Sequence, residues 1–170
     1  MRWLYLVLAV ISTSGCLGET PEDREIADLG SYDDGDEEHR PGQPCLLCHG
    51  FEVAGTVFRN FDDDDESGLE GAEVIMTDDI GREFTALTNA AGNFIVEVDS
   101  GLSAPRQRNR GLLEIPFAPA FPLSVTVRFG DQEQVMESLI WRDGSCAGCH
   151  RGSEPRADGV EKVWVEGEPQ

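Results

Sequence analysis

The sequence has little positive charge. Its 170 residues include 13 Lys and Arg against 33 Asp and Glu, which gives a net charge of −20 at pH 7. Nucleic acids and anionic membrane surfaces attract clustered Lys and Arg, so this balance argues against both kinds of partner. It favours a solvated acidic surface that attracts cations and proteins with basic patches. Hydrophobic residues make up 39% of the chain, enough for the core of one ordinary domain.

Long hydrophobic runs are also lacking. The longest covers residues 3–11, and these nine residues cannot cross a bilayer core of about 30 Å, which needs about 20. The run follows Met1 and Arg2, and small residues lead from it to Cys16. This order is typical of a secretory signal peptide. The sequence therefore predicts an exported protein whose signal covers residues 1–15.

The small residues before Cys16 resemble the lipobox of bacterial lipoproteins, although Thr13 stands where that family prefers Leu. The resemblance implies lipidation of Cys16 and a membrane-anchored lipoprotein, in the periplasm or at the outer membrane. An ordinary cleaved signal with an incidental cysteine is the alternative. Residues 16–44 are acidic, contain several Pro and Gly, and are predicted to form a flexible linker.

Helical periodicity is absent from the central part of the chain. Apolar residues recur there at every second position, with Asp, Asn and Gly turn signals between the runs. This alternation predicts an all-β fold, an antiparallel β-sandwich over residues 51–140 with short irregular haem-binding segments at both ends. The positions predicted to face the core are Val53, Gly55, Val57, Ala72, Val74, Met76, Phe94, Val96, Val98, Leu123, Val125, Val127 and Phe129.

Three segments of this region resemble the carboxypeptidase regulatory-like domain and the related Cna-B and SdrD-B type repeats. They are Gly55-Thr56-Val57-Phe58, Leu-Glu-Gly-Ala-Glu-Val at 69–74 and Thr-Asn-Ala-Ala-Gly-Asn-Phe at 88–94. The resemblance implies a transthyretin-like (prealbumin-like) scaffold and brings no catalytic residues with it. The sequence also shows no nucleophile–base arrangement and no Gly-rich phosphate loop. We therefore expect a protein that is not an enzyme.

Four of the five cysteines stand in two motifs of identical spacing, Cys45-Leu46-Leu47-Cys48-His49 and Cys146-Ala147-Gly148-Cys149-His150. Both resemble the haem-attachment motif of c-type cytochromes. Residues 45–50 are predicted to form the first haem segment, and residues 141–170 the second haem motif and a C-terminal strand. In that family the paired thiols form thioethers with the vinyl groups of one haem, and the following His binds the iron. The resemblance implies two haem c groups and a dihaem electron carrier that exchanges electrons with redox partner proteins.

Other uses of the paired thiols remain open. All four could bind one zinc ion as a Cys₄ site, or they could form disulfides in an oxidising compartment. Disulfides would give no role to His49 and His150, which follow the paired cysteines. A thioredoxin-like redox centre requires a βαβ pattern, which this sequence does not show. Zinc or disulfides would make the chain a non-haem surface scaffold or adhesion lipoprotein.

Histidine is scarce, with three in the chain. If His49 and His150 are proximal iron ligands, His39 and Met136 are the candidate distal ligands. A solvated linker His and a core or surface Met are the alternatives. A haem without a distal ligand stays five-coordinate or takes one from another chain, which would require self-association. Trp141 precedes the second motif and is either a porphyrin-packing ring or an aromatic at the edge of the sandwich.

An acidic loop lies between the first two predicted strands, at residues 60–68. Its alternate carboxylates Asp62, Asp64 and Glu66 are candidate calcium ligands, because Ca²⁺ prefers oxygen donors. The likeness to the SdrD-B type repeats implies a calcium loop at a similar position. The spacing does not match an EF-hand, and a solvated hairpin tip is the alternative.

Overall fold

Eight short β-strands account for much of the described chain in this computed structural model. The structure describes residues 38, 41–60, 68–141, 144–150 and 162–165, all within one compact unit, Tyr32–Gln170. Within those ranges no helix is long and apolar enough to cross a membrane. The strands are β1 (Val53–Thr56), β2 (Glu73–Thr77), β3 (Glu83–Leu87), β4 (Asn93–Val98), β5 (Arg106–Asn109), β6 (Leu112–Ile115), β7 (Ser124–Phe129) and β8 (Gln132–Val135).

The strands form two four-stranded sheets, with the orders β1-β4-β6-β5 and β3-β2-β7-β8. The all-β prediction is therefore confirmed. The expectation of a purely antiparallel sandwich is wrong in one place, because β4 and β6 run parallel. After β4 the chain passes over the neighbouring strand position in the sheet and forms β5 at the sheet edge. The strand β6 then returns antiparallel to β5, into the gap beside β4.

The core lies between the inner faces of the two sheets. Val74 and Met76 on β2 and Val125 and Val127 on β7 are buried, as the alternation predicts. Val98 differs from the prediction and is 40% exposed. The partner strand β1 begins opposite Val96, so Val98 lies beyond the end of β1 and has no cover there.

Both faces of β1 are buried, which alternation alone did not predict. Residues 41–44, which come just before the first Cys-x-x-Cys-His motif, lie against its outer face. The Gly42 N–H donates to Thr56 Oγ1 at 2.8 Å, and the Thr56 hydroxyl donates to Asn93 Oδ1 at 2.7 Å. This hydrogen-bonded chain connects the approach to the first motif with two neighbouring strands.

Two separate pieces of the C-terminal region cover the free edge of β1 and of the residues that directly follow it. The Ala54 N–H donates to the Gly144 carbonyl at 2.9 Å, and the Phe58 N–H donates to the Val163 carbonyl at 2.9 Å. Ser145 and Trp164 form parallel bridges with Ala54 and Phe58. We call residues 144–145 and 163–165 the split edge strand. The second motif begins where the chain leaves its first piece.

The turn before β4 explains several residues of the segment at 88–94. Asn89 Oδ1 accepts hydrogen bonds from the N–H groups of Ala91 and Asn93, at 3.1 and 2.9 Å. Gly92 has φ = +75°, and a Cβ there would lie 2.3 Å from the Val57 carbonyl oxygen. A side-chain amide that closes the turn and a glycine that fits it are therefore both required by the local geometry.

Candidate functional site

Each Cys-x-x-Cys-His motif folds as a single helical turn. The first is a 3₁₀ turn, Cys45–Leu47, and the second is the helix α1, Cys146–Cys149. The His49 N–H donates to the Cys45 carbonyl at 3.0 Å, and the His150 N–H donates to the Cys146 carbonyl at 2.8 Å. Residues three and four apart share one face of a helical turn. Each turn therefore carries the two thiols and the imidazole of its motif, although the three groups do not form a metal-binding cluster in this structure.

The first motif is largely open to solvent. Cys48 and His49 are exposed, and the His49 ring stacks on Phe51 with 4.8 Å between ring centroids. Cys45 is partly buried, and its thiol donates to the Gln43 carbonyl at 3.5 Å. Burial raises the pKa of the Cys45 thiol and the nearby Cys48 adds to this, while a backbone hydrogen bond offsets part of it. The thiol therefore keeps its proton at neutral pH.

The second motif sits directly against β1, and two glycines make room for it. A Cβ on Gly55 would lie 2.6 Å from the Cβ of Cys146 and 2.8 Å from its Sγ. A Cβ on Gly144 would lie 2.0 Å from the Glu52 carbonyl oxygen. Sequence analysis placed Gly55 on a core-facing position and did not single out Gly144. The position of Gly144, two residues before Cys146, is the sequence feature that could have indicated this close packing.

A cavity of about 920 Å³ opens beside the second motif. This volume lies near the upper end of ligand-binding pockets, which span about 300–1,000 Å³. Its lining is mostly apolar and comes from three parts of the chain, namely inner residues of both sheets, residues 134–141 and the C-terminal region. The lining includes Val57, Val74, Phe94, Val125, Val127, Val135, Met136, Leu139, Ile140, Trp141, Cys146, Cys149, His150, Lys162, Val163 and Trp164.

Exposed apolar side chains are concentrated at this cavity. Val135 is 63% exposed, Leu139 is 45% exposed and Trp141 is 68% exposed, and all three line it. Within the described ranges, Ile80 and Val98 are the other large hydrophobic side chains that are exposed. Contiguous exposed apolar surface beside a concave site is typical of a surface that a ligand or partner covers.

Several predicted site residues meet at this cavity. Cys146, Cys149 and His150 line it from the C-terminal region, and Met136 and Trp141 line it from the segment after β8. The Met136 backbone is held by its N–H, which donates to the Val125 carbonyl at 3.0 Å. Met76 is fully buried in the core, as its register predicts.

Lys162 is a lining residue that sequence analysis missed. Its side chain is only 3% exposed, and Nζ lies 4.6 Å from the centroid of the Phe58 ring. Hydrophobic periodicity does not predict that Lys162 is buried, because Lys162 lies in a short segment directly before residues 163–165 of the split edge strand. It places a buried lysine side chain on the wall of a mostly apolar cavity.

The two motifs do not share one metal site. Among the residues that the structure describes, which include all four motif cysteines, no group of three or more His, Cys, Asp or Glu could hold a metal ion. No disulfide joins these four cysteines. The four thiols are therefore not gathered at one point in this structure. Predictions for Cys16, His39, Asp62, Asp64 and Glu66 lie outside the described residues.

Comparison with protein-family models, with curated proteins and with solved structures finds no match to the chain. What the chain does must therefore be inferred from its own residues and from their geometry. Three features bear on this. They are the two helical turns that carry motifs of the same spacing, the apolar cavity beside the second turn, and the exposed side chains on its wall.

Proposed function

We propose that the chain is an exported dihaem c-type cytochrome that transfers electrons, built on a transthyretin-like β-sandwich. The observation that carries the proposal is the cavity of about 920 Å³ lined by Cys146, Cys149 and His150. A covalently held haem needs two thiols and an imidazole together with an apolar surface for the porphyrin. The second motif supplies the first requirement, and the cavity wall supplies the second.

The residues that line the second cavity include the types of donor that a c-type haem uses. Cys146 and Cys149 would hold it through thioethers, and His150 would bind the iron. Met136 would be the candidate for a further iron ligand, and Trp141 would offer a ring that can pack on the porphyrin. When bound, the haem supplies a one-electron ferric/ferrous couple.

The surrounding side chains would influence that couple. The cavity wall is mostly apolar, and Val135, Leu139 and Trp141 on it are 45–68% exposed, so the wall would cover part of the porphyrin and leave part of it open to solvent. Lys162 adds a buried side chain to the same wall.

The first site would serve exchange with other proteins. Cys48 and His49 are exposed, so a haem held by Cys45, Cys48 and His49 would be open to a partner. A net charge of −20 favours partners with basic patches. Lipidation of Cys16 and the acidic linker would hold this carrier at a membrane.

The finer fold assignment belongs to the same proposal. Two four-stranded sheets, together with the Asn89 and Gly92 turn, are compatible with a transthyretin-like scaffold. One parallel pair, β4 with β6, has to be accommodated in it. The scaffold would hold two haem segments beside β1 and take no chemical part itself.

Covalent haem attachment is the direct test. The full chain is produced in a host with the c-haem maturation machinery, and its intact mass and haem-peroxidase stain are measured after denaturation. We expect two porphyrins per chain. Replacing Cys146 and Cys149 together by Ala is expected to leave one, and the exposed control Gln132→Ala is expected to leave both. A colourless chain without porphyrin mass would refute the proposal and favour the non-haem scaffold.

A further inference from the structure

We propose that the free edge of strand β8 binds an extended segment of another protein, which adds as a further strand to the sheet β3-β2-β7-β8. The segment that fits this edge alternates apolar residues with Lys or Arg. This interaction surface goes beyond the proposed function, and it requires neither haem.

The other three sheet edges are covered or interrupted. The split edge strand covers β1. The Gly111 N–H donates to the Leu87 carbonyl of β3 at 2.8 Å, and the Leu87 N–H donates to Gln107 Oε1 at 3.1 Å. The pairing of β5 with β6 shifts register between Gln107 and Asn109, and such bulges hinder the addition of another strand.

Strand β8 has none of these protections in the part of the chain that the structure describes. All four of its residues are exposed, and its register with β7 runs without a shift. Lys, Pro and β-bulges commonly protect an edge strand, and β8 contains none of the three. In antiparallel pairing, about half of the backbone N–H and C=O groups of an edge strand point away from its neighbour. Those of β8 are therefore available to pair with an added strand.

The same edge continues beyond β8. The Met136 N–H donates to the Val125 carbonyl at 3.0 Å. The Ile140 N–H donates to the Leu123 carbonyl at 2.9 Å, and the Leu123 N–H donates to the Ile140 carbonyl at 2.7 Å. The chain therefore follows the β7 side of the sheet as far as Ile140, which lengthens the edge that a partner can contact.

The cavity beside the second motif determines what the inward side chains of the partner should be. Gln134 is paired with Val127, whose side chain is buried in the core, and Gln134 lines the cavity. Side chains alternate along a strand, so those of an added strand that share the face of Gln134 would lie towards the cavity. Leu139 and Trp141 are exposed on its wall. Covering this surface favours apolar side chains.

Charge determines what the outward side chains should be. Glu133 is paired with Arg128 on the outer face and forms an ion pair with it at 2.8 Å. Asp131, Glu133 and Glu137 are all exposed, and residues 129–141 contain no Lys or Arg. Opposite charges on neighbouring strands stabilise a sheet and like charges destabilise it. This favours Lys or Arg on the partner over a second copy of this acidic chain.

The test uses the full chain, with its haem content recorded by intact mass, and a short peptide of alternating Val and Lys. We expect the peptide to bind in calorimetry and to slow hydrogen exchange of the backbone amides of residues 132–135. The same peptide with all its backbone nitrogens methylated cannot form the ladder and should not bind. A peptide of alternating Val and Glu should not bind either, because its charge opposes that of the edge.

A pair of charge reversals locates the surface. Glu133→Lys on β8 should weaken binding of the Lys peptide about tenfold. Glu83→Lys on β3, the exposed control at the opposite edge of the same sheet, should leave it unchanged.

Equal binding of the methylated peptide, or binding without slower exchange at residues 132–135, would overturn the inference. Slower exchange there that rises with the concentration of the chain alone would also overturn it, and would assign the edge to a second copy. A chain that carries two porphyrins and does not bind the Lys peptide would overturn the inference and leave the proposed function standing.

Discussion

At the scale of single residues, Met136 is the most informative side chain in the cavity. It shares the wall with His150, and its backbone is fixed by a hydrogen bond to Val125. The thioether sulfur is a suitable axial donor to haem iron. The same residue type at position 76 is buried in the core, away from the motif, and provides a matched control.

Under the proposed function, we predict that Met136→Leu changes how the iron would be ligated at the second motif. Leu has nearly the volume of Met but no sulfur, and such exchanges cost less than about 1.5 kcal/mol. The ferric EPR signal and the magnetic circular dichroism of that haem should therefore shift, while the unfolding midpoint changes little. Met76→Leu should leave both spectra unaltered. An unchanged spectrum for Met136→Leu would assign this residue a packing role only.

A second residue-scale prediction concerns Asp78, which stabilises the turn between β2 and β3. Its carboxylate accepts hydrogen bonds from the Arg82 backbone N–H at 2.8 Å, from Arg82 Nε at 2.7 Å and from the Ala120 N–H at 3.2 Å. Burial opposes ionisation, but these bonds and the Arg82 charge outweigh it and lower the pKa of Asp78. The ionised form therefore stabilises the folded state.

We expect Asp78→Asn to lower the free energy of unfolding by about 2–3 kcal/mol at pH 7, because it removes a buried, charge-assisted set of hydrogen bonds. A lowered folded-state pKa contributes stability above the unfolded value of about 3.9, and this contribution is lost as pH falls through the folded-state pKa. Urea denaturation should therefore show the difference from wild type shrinking below about pH 4. Exposed Asp131→Asn should stay within about 0.5 kcal/mol throughout. A difference from wild type that does not vary with pH would contradict the role given to Asp78.

At the scale of strands and turns, periodicity predicted part of the fold. The strands β2, β4 and β7 carry alternating apolar residues with one buried face, and the sequence locates all three. The strands β5 and β8 lie at sheet edges and are polar, with every residue of β8 exposed. An alternation argument needs a buried face and therefore cannot find them. The parallel pairing of β4 with β6 depends on where β5 docks, which local sequence does not encode.

A prediction at this scale concerns the glycine that admits the second motif to β1. Gly144→Ala would place a Cβ against the Glu52 backbone, and crowding of this kind costs about 1–3 kcal/mol. We expect a lower unfolding midpoint and less complete haem attachment at the second motif. Gly50→Ala is the matched control beside the first motif, since a Cβ at Gly50 meets nothing within 4 Å. Equal effects of the two substitutions would show that the contact at Gly144 is unimportant.

At the scale of the whole molecule, the sequence predicted only part of the candidate site beside the second motif. Each motif is local, so its thiols and imidazole could be named at once. The cavity is built from segments far apart in the chain, from Val57 to Trp164, and its existence follows from the way the two sheets and the split edge strand are arranged. The position of both motifs beside β1 likewise emerges only when the sheet is complete.

Net charge leads to a prediction at the same scale. A chain with a charge of −20 attracts basic partners over a distance that salt shortens, from about 10 Å at 0.1 M ionic strength to about 3 Å at 1 M. Stopped-flow electron exchange with a basic redox protein should therefore slow steeply as salt increases. Exchange with an uncharged small-molecule oxidant should change little. Equal salt dependence for both reactants would show that the acidic surface does not guide docking.

Under the proposed function, the split edge strand would tie assembly of the protein to cofactor delivery. Covalent attachment requires access to Cys146 and Cys149, whereas Gly144 and Val163 on either side of that region must dock on β1 to finish the sheet. An unfinished sheet exposes unpaired N–H and C=O groups, and such edges recruit other chains. A cell that makes this protein faster than it can supply porphyrin would accumulate chains prone to aggregation. Haem supply would then limit the yield of soluble protein as well as its redox capacity.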